Sequence, residues 1–337
     1  MFKALFVFLL GMMIWMGADA QVSEKDTIVY FMKDSGIIVP EKDSADYYLF
    51  IMPADSSLGK RAYPVTELYM NRKTKMIGHT LDRSSVLKLH GSALYYYPNG
   101  RKKSIMNYDE GLAIGNTIQY YPNGQLWKLS TKEKSIVKEN VNKKMMDVTK
   151  YITLLKECRD STGKVLTQDG NGTWLDFDKD FKYRIAEGPV VNSLENGEWH
   201  GTLSDTTQFT CTYSAGEVVG TGYGYNKNGT KYPFTKVQDQ PGFKGGIEAF
   251  GQFLAGNIRF PRYERENGIG GRVIMSFVVE KNGVLTDLKA LKTPSSGLAE
   301  ESLRVLKLSP PWKPGYLYGI PVNVRYTVPI SFTLGRE

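Results

Sequence analysis

Hydrophobic and polar residues alternate most strictly near the end of the chain. Within residues 320–334, Val322, Val324, Tyr326, Val328, Ile330, Phe332 and Leu334 fall on every second position. Asn323, Arg325, Thr327, Pro329, Ser331 and Thr333 lie between them. Strand side chains alternate between two faces, so this period of two predicts one long strand with an apolar and a polar face. At about 3.3 Å per residue it would extend roughly 50 Å. Pro329 has no N–H to give to a ladder, which predicts an edge strand with that nitrogen turned outward. Backbone N–H direction shares the period of two, so the odd-numbered residues are expected to face an open edge. Such an edge invites a further strand.

The stretch before it completes a small domain. Residues 271–280 place Val273, Met275, Phe277 and Val279 on one face. Asn282-Gly283 predicts a two-residue hairpin turn with positive φ angles, and residues 284–291 the returning strand. A helix is expected next, with Gly297 as N-cap and Glu300 and Glu301 in its first turn. Ala299, Leu303 and Leu306 form its apolar face, and Pro310-Pro311 stops it. The order is that of an α+β domain, β-β-α-β, with an antiparallel three-stranded sheet packed on the helix.

The middle of the chain repeats itself. Tyr97-Pro98-Asn99-Gly100 recurs as Tyr121-Pro122-Asn123-Gly124, and Gly91 and Gly115 keep the same spacing. A unit of this size with one Asn-Gly turn is one β-hairpin. Weaker copies surround Trp174, Trp199 and Asn228-Gly229. This pattern resembles MORN-type repeats. The domain scheme is therefore a β-rich segment over 21–85, an all-β hairpin-repeat region over 86–235, and the α+β domain over 236–337. A helical interruption is expected near 145–155.

The last hundred residues resemble the C-terminal domain of TonB-type energy transducers. The resemblance rests on Phe260-Pro261, Gly270-Gly271-Arg272-Val273, Phe277-Val278-Val279 and the Asn282-Gly283 turn. It continues in Trp312-Lys313-Pro314-Gly315, Gly319-Ile320-Pro321-Val322 and Val328-Pro329-Ile330-Ser331-Phe332. Residues 241–250 look like the lead-in helix of Bacteroidetes versions. The resemblance implies that the last strand captures the TonB-box peptide of an outer-membrane receptor by strand addition. Asn323, Arg325, Thr327, Pro329 and Ser331 are then the peptide-binding residues. Arg259 joins them, since arginine pairs with acidic side chains of a docked strand; for Arg259 and Arg325 the alternative is a solvated surface cation. Inner-membrane motor proteins are implied as further partners. The alternative is a structural envelope protein whose repeats bind a partner and whose open edge forms a homodimer.

Residues 1–20 read as an export signal: Lys3, an apolar core, then Ala18-Asp19-Ala20 before Gln21. The apolar stretch is shorter than the ~20 residues of a spanning helix, which favours cleavage over a retained anchor. Both alternatives place the protein in the periplasm or cell envelope. The resemblance lacks a Pro-rich spacer; the repeats stand in its place. Composition changes little in this picture. Of the formal charge of +8, residues 241–337 carry +5, from 13 basic and 8 acidic side chains. With no long basic run, a solvated surface and not a nucleic-acid partner is expected.

Candidate chemistry is sparse. His79, His90 and His200 lack metal-ligand spacing, and His200 has no nucleophile at motif distance. Asp169-Gly170-Asn171-Gly172 and residues 176–180 lack the pattern of a calcium loop and read as turns. Trp127, Trp174 and Trp199 are expected to pack across strands. Cys158 and Cys211 leave two alternatives, a bridge or two buried thiols. No catalytic motif or cofactor loop is present, so a non-enzymatic binding protein is expected.

Overall fold

The computed structural model describes residues 26–54, 62–141 and 144–334. They fall into two compact units. One holds the chain up to Leu126 together with Thr131–Ile152; the other holds Trp127–Ser130 and the chain from Thr153 onward. The expected export signal lies outside the described residues.

The first unit is a succession of antiparallel hairpins. Ile28–Met32 pairs with Tyr47–Ile51, which pairs in turn with Tyr63–Tyr69, Thr74–Thr80, Gly91–Tyr96, Lys102–Asp109 and Leu112–Tyr120. Its core gathers Met32, Leu49, Ile51, Val65, Met76 and Ala93. The Asn-Gly turns are identical. Gly100 and Gly124 sit at φ +91° and +92°, and their N–H groups donate to Tyr97 O and Tyr121 O at 2.8 Å. Asn99 and Asn123 accept from the N–H two residues on, at 2.9 and 3.0 Å. A further copy, not apparent from the repeat spacing, precedes them at Tyr69 to Arg72. There Arg72, at φ +64°, takes the glycine position. The copies are tied by their own signature residues. Tyr69 Oη donates to Tyr96 O and Tyr97 Oη to Tyr120 O, both at 2.7 Å, and Asn99 Nδ2 donates to Pro122 O at 3.1 Å.

The helix expected near 145–155 is not formed. Lys144–Arg159 is a 16-residue strand paired with Leu126–Val141. Val148, Thr149, Tyr151, Ile152 and Thr153 are β-branched or aromatic, and a long partner strand satisfies their backbone, so extension wins.

The second unit continues with a meander of Asn171–Phe177, Arg184–Val191, Gly197–Ser204, Thr207–Ser214, Glu217–Tyr225 and Lys231–Phe234. Trp174, Trp199 and Phe209 are buried in it, and so is Trp127. Cys158 and Cys211 are both free and buried, and burial pushes each thiol up to about 11. They stay protonated at neutral pH.

The chain then forms the α+β domain. A lead-in helix, Gly246–Asn257, and a short helix, Arg262–Glu266, precede the central strand Gly271–Val279. The outer strand Leu285–Lys292, the helix Ser296–Lys307, a small hairpin of Gly315–Leu317 and Ile320–Val322, and the last strand Val324–Phe332 follow. The three long strands form one antiparallel sheet with Gly271–Val279 in the middle. Val273, Met275, Phe277, Val279, Leu298, Leu306, Val328, Ile330 and Phe332 make its core. Trp312 is the hub, with its ring 5.2–5.8 Å from Phe243, Phe250, Phe277 and Tyr326.

Three features of this domain differ from those expected. The predicted continuous strand over 320–334 breaks at Asn323: residues 320–322 pair with 315–317, and only Val324–Phe332 joins the sheet. The helix cap is Ser295, whose Oγ accepts from Leu298 N at 3.2 Å, not Gly297; a hydroxyl can accept where glycine cannot. Glu300 and Glu301 therefore lie past the first turn. Finally, Gly283 alone has positive φ in its turn (+83°), while Asn282 accepts from Val284 N at 3.0 Å. Asparagine here supplies an acceptor rather than a left-handed backbone.

Candidate peptide-docking edge

The sheet has two edges, and they differ. Against the central strand, Val324–Phe332 keeps an unbroken register from Gly271↔Phe332 to Val279↔Val324. Leu285–Lys292 slips twice, between Ile274 and Met275 and between Ser276 and Val278. The extra residues include Leu291 and Asp287, the latter at φ +46°. Bulges twist an edge away from further pairing. Of the two edges, the last strand is the regular one.

Its side chains alternate as the sequence pattern requires. Tyr326, Val328, Ile330 and Phe332 turn to the core, while Arg325, Thr327, Pro329 and Ser331 are exposed. Pro329 lies opposite Ile274. A residue without an N–H fits the non-hydrogen-bonded positions of an antiparallel pair. Odd-numbered residues share that phase, so their backbone groups address the open side. On the helix side, a hollow of about 120 Å³ lies against Tyr326 and Val328, walled by Phe250, Trp312 and the exposed Ile247.

The six residues expected to bind peptide are placed unevenly. Arg325, Thr327, Pro329 and Ser331 share one face of the last strand. Asn323 sits in the break before it, and its Oδ1 accepts from Lys281 N at 3.0 Å, so its carboxamide is already engaged. Arg325 pairs with Asp287 across the sheet and holds that exposed carboxyl below the usual range. Arg259 belongs to a different wall. Its N–H donates to Glu301, and it borders a depression with Glu300 and Arg304. The neighbouring Phe260 meets Phe332 edge-on at 5.7 Å, near the end of the last strand. Arg304 holds the Glu301 carboxyl low. The hollow beside Tyr326 was missed by sequence reasoning, because its walls come from separate elements with no shared spacing.

The other candidates have structural roles. Trp199 donates from Nε1 to Pro189 O at 2.9 Å and Trp127 to Leu175 O at 3.0 Å. His200 is exposed beside Glu187. Asp169 and Gly170 form a tight turn with positive φ, and Asp178 accepts from Tyr183 N at 2.8 Å. Among the described residues, no cluster of three or more metal-ligating side chains occurs, and no helix is long and apolar enough to cross a membrane.

Residues 256–334 match the family model of the Gram-negative bacterial TonB protein C-terminal domain. That family is transport-associated and non-enzymatic, and its members belong to the cell envelope. No curated protein and no solved structure matches the chain.

Proposed function

We propose that the protein is a TonB-like envelope adaptor. In this reading it captures an extended segment of an outer-membrane receptor by strand addition along Val324–Phe332. One observation carries it: among the described residues the last strand is paired on one side only, in unbroken register, with Pro329 phased so that odd residues address the open side. The match of residues 256–334 to a receptor-interacting domain supports the same reading.

In this scheme the backbone groups of Arg325, Thr327 and Ser331, with the carbonyl of Pro329, form the ladder to the incoming strand. Alternate side chains of that strand reach the hollow beside Tyr326 and Val328 on one face. On the other they meet Arg325 and Thr327. Arg259 and Asn323 flank the two ends. Residues 1–20 export the chain to the periplasm, and motor proteins of the inner membrane are the proposed source of force.

The test uses the full chain and a TonB-box peptide. Thr327→Pro removes one outward N–H and leaves a carbonyl of the peptide unpaired. An unmade hydrogen bond of this kind costs about 1–3 kcal/mol when desolvated, roughly five- to 150-fold in affinity. Thr327→Ala keeps the N–H and should bind nearly as the parent does. Equal peptide affinity of a Thr327→Pro variant that melts like the parent would remove this edge as the docking site. A dimer that forms through the edge and excludes the peptide would instead favour a structural role.

A further inference from the structure

Beneath the tip of the small hairpin of the α+β domain lies a cavity that strand addition does not use. Its floor is the meander: Trp174 comes from Asn171–Phe177, Trp199 from Gly197–Ser204 and Tyr213 from Thr207–Ser214. Its other wall is Tyr318, between Gly315–Leu317 and Ile320–Val322. Its volume is about 370 Å³, within the range of small-molecule sites, and one side is open to solvent. The walls are firmly placed. Trp174 and Trp199 are buried, Tyr213 meets Trp199 edge-on at 5.6 Å, and Tyr318 stacks on Phe209 at 3.7 Å with planes 8° apart. Burial raises the pKa of both tyrosine hydroxyls, and their neutral rings present π-faces to the cavity.

Two carboxylates, Asp176 and Glu195, line the same space, and they are not equivalent. Asp176 pairs with Lys128, whose Nζ lies 4.2 Å from the Trp127 ring centre and 5.9 Å from that of Trp174. The protein thus already satisfies one carboxylate of the cavity with an ammonium placed over indole rings. Glu195 has no cation beside it among the described residues. Burial raises its pKa, and the neighbouring Asp176 and Glu217 act in the same direction. With Asp176 paired to Lys128, Glu195 is the carboxyl group of the cavity left without a cationic partner among the described residues, and a cation bound there would favour its ionised form.

We propose that this cavity binds an organic cation, an ammonium or guanidinium group carried on a short apolar stem. The cation pairs with Glu195, and the stem lies against the rings of Trp199, Tyr213 and Tyr318. Aromatic faces attract cations, and the attraction strengthens where water is excluded. A neutral ligand of the same shape would gain the apolar contact but leave Glu195 uncompensated. An anion would be repelled. Lysine or arginine side chains of a peptide and free alkylamines share this chemistry.

Titration of the full chain with pentylammonium chloride, followed by tryptophan emission at constant ionic strength, tests the site. Two of the five tryptophans line the cavity, so occupancy should change the signal saturably. 1-Pentanol should bind about tenfold more weakly or worse, and Glu195→Gln should weaken pentylammonium by about the same factor. Glutamine keeps the shape of glutamate, removes the charge and turns one acceptor oxygen into an N–H donor. Absence of a saturable change, equal binding of pentanol, or an unchanged affinity in a folded Glu195→Gln variant would each overturn the proposal. If that variant does not fold, the comparison of the two ligands on the parent decides alone. A lysine-containing tripeptide, compared with its acetyl-lysine form, then separates peptide side chains from free amines as the source.

Discussion

The hairpin turns of the repeat region and the turn of the α+β domain share one local chemistry and are held by different means. At Asn99-Gly100, Asn123-Gly124 and Asn282-Gly283 the glycine has positive φ and the asparagine carboxamide accepts the N–H two residues on. Around Gly100 and Gly124, a Cβ would meet only the far carbons of Lys73 and Arg101, at 3.8 and 3.7 Å. Around Gly283 it would lie 2.0 Å from the Trp312 carbonyl oxygen, and the Trp312 N–H donates to Gly283 O at 2.8 Å. The same dipeptide is thus a solvated corner in one region and a buttress of the aromatic hub in the other. Turn signatures report backbone shape; they do not report what the backbone leans on.

Substitution separates the two cases. Gly283→Ala combines a strained φ with a backbone clash that no rotamer relieves, so a loss of roughly 3 kcal/mol or more is expected. A denaturant melt of the full chain, followed by tryptophan emission, should show it; a loss below that of the repeat turns would refute the buttress. Gly100→Ala and Gly124→Ala meet only the strain of the left-handed backbone, about 1–2 kcal/mol each. Their melts should resemble one another, because their surroundings do.

Arg72 sharpens the comparison with the opposite sign. It is an exposed non-glycine residue at φ +64° in the position that Gly100 and Gly124 occupy in their copies. Arg72→Gly should relieve that strain and stabilise the first unit by up to about 1 kcal/mol, less the added freedom of the unfolded chain. A melting midpoint at or below that of the parent would show that the strain is compensated elsewhere.

The smallest effect is a pH dependence in the second unit. Glu195 has a raised pKa when folded, so the folded protein holds that proton more tightly than the unfolded chain. Stability from this group is greatest below its unfolded value and falls as pH rises through its folded value. Glu195→Gln should flatten that part of the profile and melt slightly above the parent at neutral pH. Parallel profiles for parent and variant would mean that solvent already compensates the charge.

Much of the α+β domain was legible from local pattern. The period of two from Val324 to Phe332 gave the alternation of exposure seen in the strand, and Pro329 marked it as an edge. The Asn-Gly signatures located the hairpins because side-chain and backbone bonds two or three residues apart form the turn. These features depend on neighbours in sequence, so residue order alone determines them. The rest was decided by contacts between distant residues. Asn323 ends the strand because its carboxamide accepts from Lys281, 42 residues away. Residues 145–155 are extended because a partner strand satisfies their backbone, although their apolar run suits a helix as well. Asp287 and Leu291 bulge one edge and leave the other regular, which no periodicity encodes. Tyr318 walls an aromatic cavity, held by the flat face of Phe209 and the edge of Phe234. Periodicity records which way a side chain points; only the folded chain brings to that side the group it meets.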